Sequence, residues 1–319
     1  MLRTTRRALL ATPLLATPAL AQGFPERSIR LIIPWPPGAS ADIFLRTIAE
    51  LAGKKLGQAV VPENRPGASA SLGQVALKDA RPDGYTLSQA HAGSLRVALT
   101  AEKPLYDPLT DFTYIVQLAG SALGIVVRAD APWQTLAELL ADAKRRPGVL
   151  NYGTPGVAST HNITMLDIQR RSGTEMTHIP YTGSGPLYTA LMSRQIDVVA
   201  DASGWAQLVK DGQFRLLAVW TSQRMVNFPE APTLIESGID IVVETPYGIA
   251  GPRGMDPGVV ATLHDAFKAA VHDPAAQAVI ARFNMLFLYA PTAEYDANTR
   301  ALYAVERDNL RRLGLLPNG

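Results

Sequence analysis

The sequence has no cysteine among its 319 residues. Disulfides, thiol nucleophiles and cysteine-ligated metals are excluded, so stability must come from burial of an apolar core. Histidine is nearly as scarce. The five, His91, His161, His178, His264 and His272, show none of the spacings of a metal site such as His-Glu-x-x-His, and neither a metal nor a cofactor is expected. A Gly-x-Ser-x-Gly elbow and a phosphate-binding loop are both missing. Ser159 and His161 stand two apart at a predicted helix start and do not face each other, which leaves a secreted hydrolase as an alternative with little behind it. No segment carries a basic stripe, which argues against a nucleic-acid partner and against polybasic attachment to a membrane. Beyond residue 22 no apolar run is long enough to span a bilayer.

What is present begins with an export pattern. Arg3, Arg6 and Arg7 precede the apolar run 8–15 and the small-residue site Ala19-Leu20-Ala21, so residues 1–21 read as a signal peptide whose removal leaves Gln22 first. Pro13 and Pro18 interrupt the run, which is too short for a permanent anchor. The order Thr5-Arg6-Arg7 also matches a twin-arginine signal loosely, with ordinary secretion the better match. A periplasmic location is expected. Of the 30 basic residues three leave with this segment, and the remaining 27 face 28 acidic ones, a formal net of −1. Hydrophobic content of 47% with mixed charge predicts a globular chain, and the length predicts about two domains.

Short runs rich in Val, Ile and Leu alternate with segments of helical period, the pattern of an α/β protein. The first unit predicts a buried strand over 29–33, ended by Pro34-Trp35-Pro36-Pro37-Gly38. A helix then carries Ala41, Leu45, Ile48, Ala49, Ala52 and Leu56 on one face, with Ser40 as its cap and Gly57 as its stop. Such a turn aims free backbone N–H groups at one point, where an anion is favoured. A second unit has a capping box at Thr135 and Glu138, a helix ended by Pro147-Gly148, and a strand over 149–152. That strand runs through Gly153-Thr154-Pro155-Gly156-Val157-Ala158-Ser159 into a helix over 160–170, a second anion-ready mouth. Further strands are predicted over 58–62, 85–90, 196–200, 216–220 and 241–243, and helices over 72–80, 259–271 and 295–313. His91-Ala92-Gly93-Ser94 reads as a flexible loop after a strand, and Asp201 as a residue at a strand's C-terminal end, where α/β sheets bind ligands.

The run Pro25-Glu26-Arg27-Ser28-Ile29-Arg30-Leu31-Ile32-Ile33-Pro34-Trp35-Pro36-Pro37-Gly38, followed by Asp42, resembles the opening of the tripartite tricarboxylate transporter receptors, also called the Bug solute-binding family. The resemblance continues through Glu63-Asn64-Arg65-Pro66-Gly67-Ala68, Arg81-Pro82-Asp83-Gly84-Tyr85-Thr86-Leu87, Asp111-Phe112 and 152–161. It extends to His178-Ile179-Pro180-Tyr181, Phe228-Pro229-Glu230-Ala231-Pro232-Thr233 and Gly248-Ile249-Ala250-Gly251-Pro252, nearly the whole chain after the signal. The resemblance implies a type-II periplasmic-binding-protein fold of two α/β lobes with a ligand cleft between them. Lobe one would comprise 22–122 plus 246–319 and lobe two 123–245, with hinges near 120–124 and 244–247. It also implies a monomeric receptor, not an enzyme, that captures a small carboxylate and presents it to membrane permease subunits. A sensor feeding a membrane histidine kinase would use the same closure and stays open as an alternative.

The implied ligand groups are Gly38, Ala39 and Ser40 at the first mouth, Thr154 and Ser159 at the second, and Gly93, Ser94 and Asp201 at strand ends. Asp42, His161 and Tyr181 join them with strong structural readings beside the functional one. Asp42 suits a first helical turn and would repel a bound anion, His161 suits a satisfied structural histidine, and Tyr181 suits packing at the rim. Three positions depart from the family pattern: Ala39 and Ala158 stand where glycine is usual, and Thr182 where lysine is usual. Those changes admit a ligand less charged than a tricarboxylate.

Overall fold

A computed structural model describes residues 23–67, 70–157 and 159–317; the export segment expected at 1–21 and Ala158 lie outside the described residues. The chain starts with β1 (Ile29–Ile33), α1 (Ser40–Leu56), β2 (Val60–Asn64), α2 (Ser71–Lys78), β3 (Thr86–His91), α3 (Ala92–Thr100) and β4 (Phe112–Ser121). It crosses directly into β5 (Leu123–Arg128), α4 (Leu136–Arg145), β6 (Asn151–Thr154), α5 (Thr160–Ser172), β7 (Thr177–Pro180), α6 (Ser184–Met192), β8 (Val198–Ala202), α7 (Ala206–Lys210) and β9 (Phe214–Val219). It returns along β10 (Thr245–Pro252) to α8 (Pro257–His272), α9 (Pro274–Arg282), β11 (Leu286–Ala290) and α10 (Thr292–Arg312).

Two mixed sheets result, the first ordered β11-β4-β10-β3-β1-β2 and the second β7-β6-β8-β5-β9. In the first, β1 pairs in parallel with β2 and β3, while β10 runs antiparallel between β3 and β4. Each sheet is covered on both faces, which is why its central strands read as continuous apolar runs. Ile29, Leu31 and Ile33 pack with Phe44, Ile48 and Phe267 on one side of the first sheet. A second cluster, Leu77, Ala90, Tyr106, Tyr114 and Tyr295, closes another part of that lobe. Lobe two repeats the plan with Tyr152, Met165 and Trp220 in one cluster and Leu187, Val199 and Trp205 in another.

Local signals act as read at several ends. Gly57 stops α1 in the left-handed region at φ 68°, and Thr135 caps α4 by accepting from the Glu138 N–H at 3.2 Å. The cap of α1 is a correction: it is Ala39, without a side-chain bond, and Ser40 is already helical. Ala92, Gly93 and Ser94 are also not a loop, because α3 starts at once after β3, with the Ser94 hydroxyl donating to His91 O at 2.6 Å. Residues 241–243 form no strand. Ile241 is apolar because it is buried in the lobe-two core, while Val243 N–H bonds Trp220 O at 2.8 Å as part of the return crossing.

The two crossings are fastened to each other. The Thr245 hydroxyl donates to Ser121 O at 3.0 Å and accepts from Ser121 N–H at 3.2 Å, and Trp220 N–H donates to Leu123 O at 3.0 Å. Further along β10, Gly248 leaves no room for a side chain: a Cβ there would lie 2.0 Å from Val116 O and 2.7 Å from Gln117 Cα. Because both neighbours are backbone, Gly248→Ala should lower unfolding free energy by about 3 kcal/mol or more, read from urea denaturation.

Candidate functional site

The first mouth is held by a carboxylate that faces inward. Asp42, 2% exposed, accepts from Gly38 N–H at 2.9 Å, Arg46 Nε at 3.0 Å and Asn64 Nδ2 at 2.7 Å. Asn64 also donates to Trp35 O at 2.9 Å, so one amide fixes both ends of the turn. Burial alone would raise the Asp42 pKa, but the bonds from Arg46, Asn64 and Gly38 outweigh it and hold the carboxyl below its ordinary value. Gly38 adopts φ +84° and its N–H is engaged, which moves the free donors of this mouth to the first turn of α1, Ser40 to Asp42. Gly38 is exposed and Ala39 and Ser40 are half-buried.

The second mouth is ordered by its own hydroxyls. Ser159 Oγ donates to Gly156 O at 2.7 Å and accepts from Asn162 N–H at 3.2 Å, capping α5. Thr154, fully buried, bonds Gly156 O at 3.0 Å and His178 Nε2 at 2.8 Å. Ile163 N–H bonds Ser159 O, leaving the N–H groups of Thr160 and His161 as the first-turn donors of α5. Tyr181 adjoins this mouth: its ring packs against a lobe-two cluster and its N–H bonds Thr154 O at 2.9 Å.

At the second mouth lies a residue that the sequence reading missed. Arg96 on α3, 3% exposed, donates to both carboxylate oxygens of Glu306 on α10 and to the hydroxyl of Thr160 at the start of α5. It therefore joins the lobes at the point where α5 begins. Ser203 Oγ to Phe283 O at 2.5 Å and Asn227 Nδ2 to Asn284 Oδ1 at 2.6 Å make further contacts across the lobes. A signal for Arg96 exists in the sequence: it is a single cation inside the apolar run Ser94-Leu95-Arg96-Val97-Ala98-Leu99, where burial demands a partner.

His161 and Asp201 meet next to this bridge, His161 Nε2 lying 3.6 Å from Asp201 Oδ1. Both ring nitrogens of His161, Asp201 Oδ2, His91 Nε2 and Trp220 Nε1 are buried without a hydrogen-bond partner. His91 sits under Trp35, with ring centroids 4.9 Å apart, and Trp35 Nε1 donates to Gln89 Oε1 at 2.5 Å. Gly93 is glycine because a Cβ would lie 2.9 Å from the His91 ring. Trp35 of the first mouth thus packs on His91, and Arg96, whose charge acts on His91, bonds Thr160 beside His161, which meets Asp201. Burial, reinforced by the charge of Arg96, brings His91 down to about 4; burial brings His161 to about 4 as well, with Asp201 opposing and Arg96 assisting. Both imidazoles are neutral at pH 7.

A cavity of about 800 Å³ also opens between the lobes, on the side where α5, the 240–246 crossing, β11 and α10 meet. Arg96 and Glu306 form part of its wall, but none of the eleven residues named from the sequence lines it. No group of three metal-ligating side chains occurs among the described residues, and none of their helices is long and apolar enough to cross a membrane.

Two helix-covered sheets joined by fastened crossings, with polar groups from both converging at the seam, define a two-lobed solute-binding protein of the periplasmic-binding-protein kind. Three solved structures share the architecture. Periplasmic binding protein BugD superposes with a TM-score of 0.85 at 26% identity, covering 92% of this chain and 99% of that one. R. palustris Rpa4515 with adipate gives 0.86 at 25% identity over 93% and 100%. MatC from Rhodopseudomonas palustris with bound malate gives 0.82 at 26% identity over 90% and 100%. A Cupriavidus necator protein, the UPF0065 protein in the gbd 5′ region, is 41% identical over 310 residues, 97% of this chain and 94% of its relative. The profile of the tripartite tricarboxylate transporter family receptor matches residues 44–307, and the chain belongs to that family of periplasmic solute-binding receptors.

Two outcomes test the site's electrostatics. A histidine whose folded pKa lies below its unfolded value is charged only in the unfolded chain between the two, so its contribution to stability is complete above about 6.5 and falls as pH drops toward about 4. The melting temperature should decline over that window, and His161→Asn should flatten the decline. Arg96→Met leaves Glu306 buried without its cation and should destabilise by about 3 to 5 kcal/mol in urea, whereas Arg96→Met with Glu306→Leu should recover most of that loss.

Proposed function

We propose that this receptor, exported by residues 1–21, captures a small carboxylate between its lobes and presents it to permease subunits in the membrane. The observation that carries the reading is the meeting of the lobes at Arg96, whose charge acts on His91 of one lobe and on His161, paired with Asp201, of the other, with polar atoms of all three left unpartnered. One carboxylate group is suited to backbone N–H groups at the starts of α1 and α5, where helix dipoles and free amides favour negative charge. Relatives solved with adipate and with malate support the ligand class.

The reading contains no chemical step. The Ser159 hydroxyl is occupied by Gly156 O, Thr154 and the Asn162 N–H, and His161 is not among its partners. A nucleophile needs a base within hydrogen-bond reach.

Thermal-shift measurements on the chain from Gln22 onward test the proposal against mono-, di- and aromatic carboxylates. A ligand at a hundred times its Kd stabilises the folded state by about 2.7 kcal/mol, a rise in melting temperature of roughly 5 °C for a chain of this size. Silence across the panel would sink the proposal.

A further inference from the structure

We propose that Asp201 makes the cleft selective for a carboxylate that also carries a hydrogen-bond donor, such as a hydroxyl, amino or amide group, over a plain dicarboxylate. This rests on the receptor reading above and narrows its ligand. Asp201 is 1% exposed at the end of β8, and its Oδ2 has no partner. Its recorded ion pair, among the described residues, is with His161 alone, at 3.6 Å. The Tyr188 hydroxyl lies on the neighbouring α6 but donates to Ala202 O at 3.3 Å, and the Trp205 ring N–H donates to the backbone oxygen of Asp201. Tyr188 also reaches the Asp201 side chain, but Oδ2 keeps no hydrogen-bond partner.

An ionised carboxylate accepts hydrogen bonds and cannot donate them, and a buried one left unpaired is costly. The group that relieves it is a donor supplied by the ligand. A second carboxylate placed there would instead meet a like charge. No cation offsets that repulsion: burial keeps His161 neutral at pH 7, and the Arg96 guanidinium is already directed to Glu306 and Thr160. Thr182 stands where the family pattern has lysine, so the Tyr181 segment adds no charge either. The cleft is therefore arranged for a ligand with one anionic end, held by backbone N–H groups, and one donor-bearing end, held by Asp201.

Isothermal titration tests this with matched probes: short-chain monocarboxylates as the unsubstituted acid, the hydroxy acid, the amino acid and the amide, beside plain dicarboxylates of the same length. The wild-type protein should bind a donor-bearing probe tighter than its unsubstituted and dicarboxylate counterparts by on the order of tenfold to a hundredfold. Asp201→Asn should erase that margin and improve dicarboxylate binding by about tenfold. Asp201→Glu, which keeps the charge but moves it, should weaken the donor-bearing probe without admitting dicarboxylates, and it serves if Asp201→Asn does not fold. Equal binding of plain dicarboxylates by the wild type overturns the assignment while leaving the receptor reading intact. A margin that survives Asp201→Asn removes Asp201 as its source. Binding of no carboxylate at all defeats both readings together.

Discussion

Arg96 is a buried cation at the seam of two lobes, and most of what surrounds it follows from the need to neutralise it. A guanidinium out of water requires a matched anion, and Glu306 supplies one in a two-pronged geometry from α10, 210 residues away in sequence. The remaining donor reaches Thr160, which brings the start of α5 against lobe one. With its charge directed to these two partners, the arginine is left with little to offer a solute. Its field still acts on the neighbouring imidazoles, helping burial to keep His91 and His161 uncharged. The seam that results is polar and hydrogen-bonding, with Asp201 as the anionic group beside His161.

Hydroxyls and short acids near the mouths serve mainly to shape backbone. Asp42 orders the first turn through Gly38, Arg46 and Asn64, and Thr154 with Ser159 orders the second through Gly156 and Asn162. The donors left over are backbone amides of the first helical turns. On the proposed reading, such donors would fix the place of a carboxylate without fixing what hangs from it, and discrimination would fall to side chains further in.

The alternation of strands and helices was legible because the apolar runs are short and Gly57, Thr135 and Pro147 punctuate them. The two mouths were legible for the same reason: a strand that meets Pro and Gly before a capped helix has few other ways to fold. Their outer residues were less so. Ser40 looked like a cap, yet Ala39 takes that place, because Asp42 rather than Ser40 reaches back to the turn. Ala92, Gly93 and Ser94 looked like a loop because small residues without periodicity give no helical signal over three positions, and α3 went unseen with Arg96 on it. Residues 241–243 looked like a strand because three consecutive β-branched residues carry that propensity, yet only Ile241 is buried and no strand among the described residues pairs with them. Arg96 was marked by its place in an apolar run, but its pairing with Glu306 could be found only by knowing which distant elements touch.

The Thr245 hydroxyl, bonded to both backbone groups of Ser121, stitches the outgoing and returning segments into one ribbon. Two independent tethers would let the halves twist, slide and tilt separately. A fastened pair ties the two segments together, so that neither can shift without the other. Ordering that joint in advance leaves less freedom to be lost when a solute is held between the lobes.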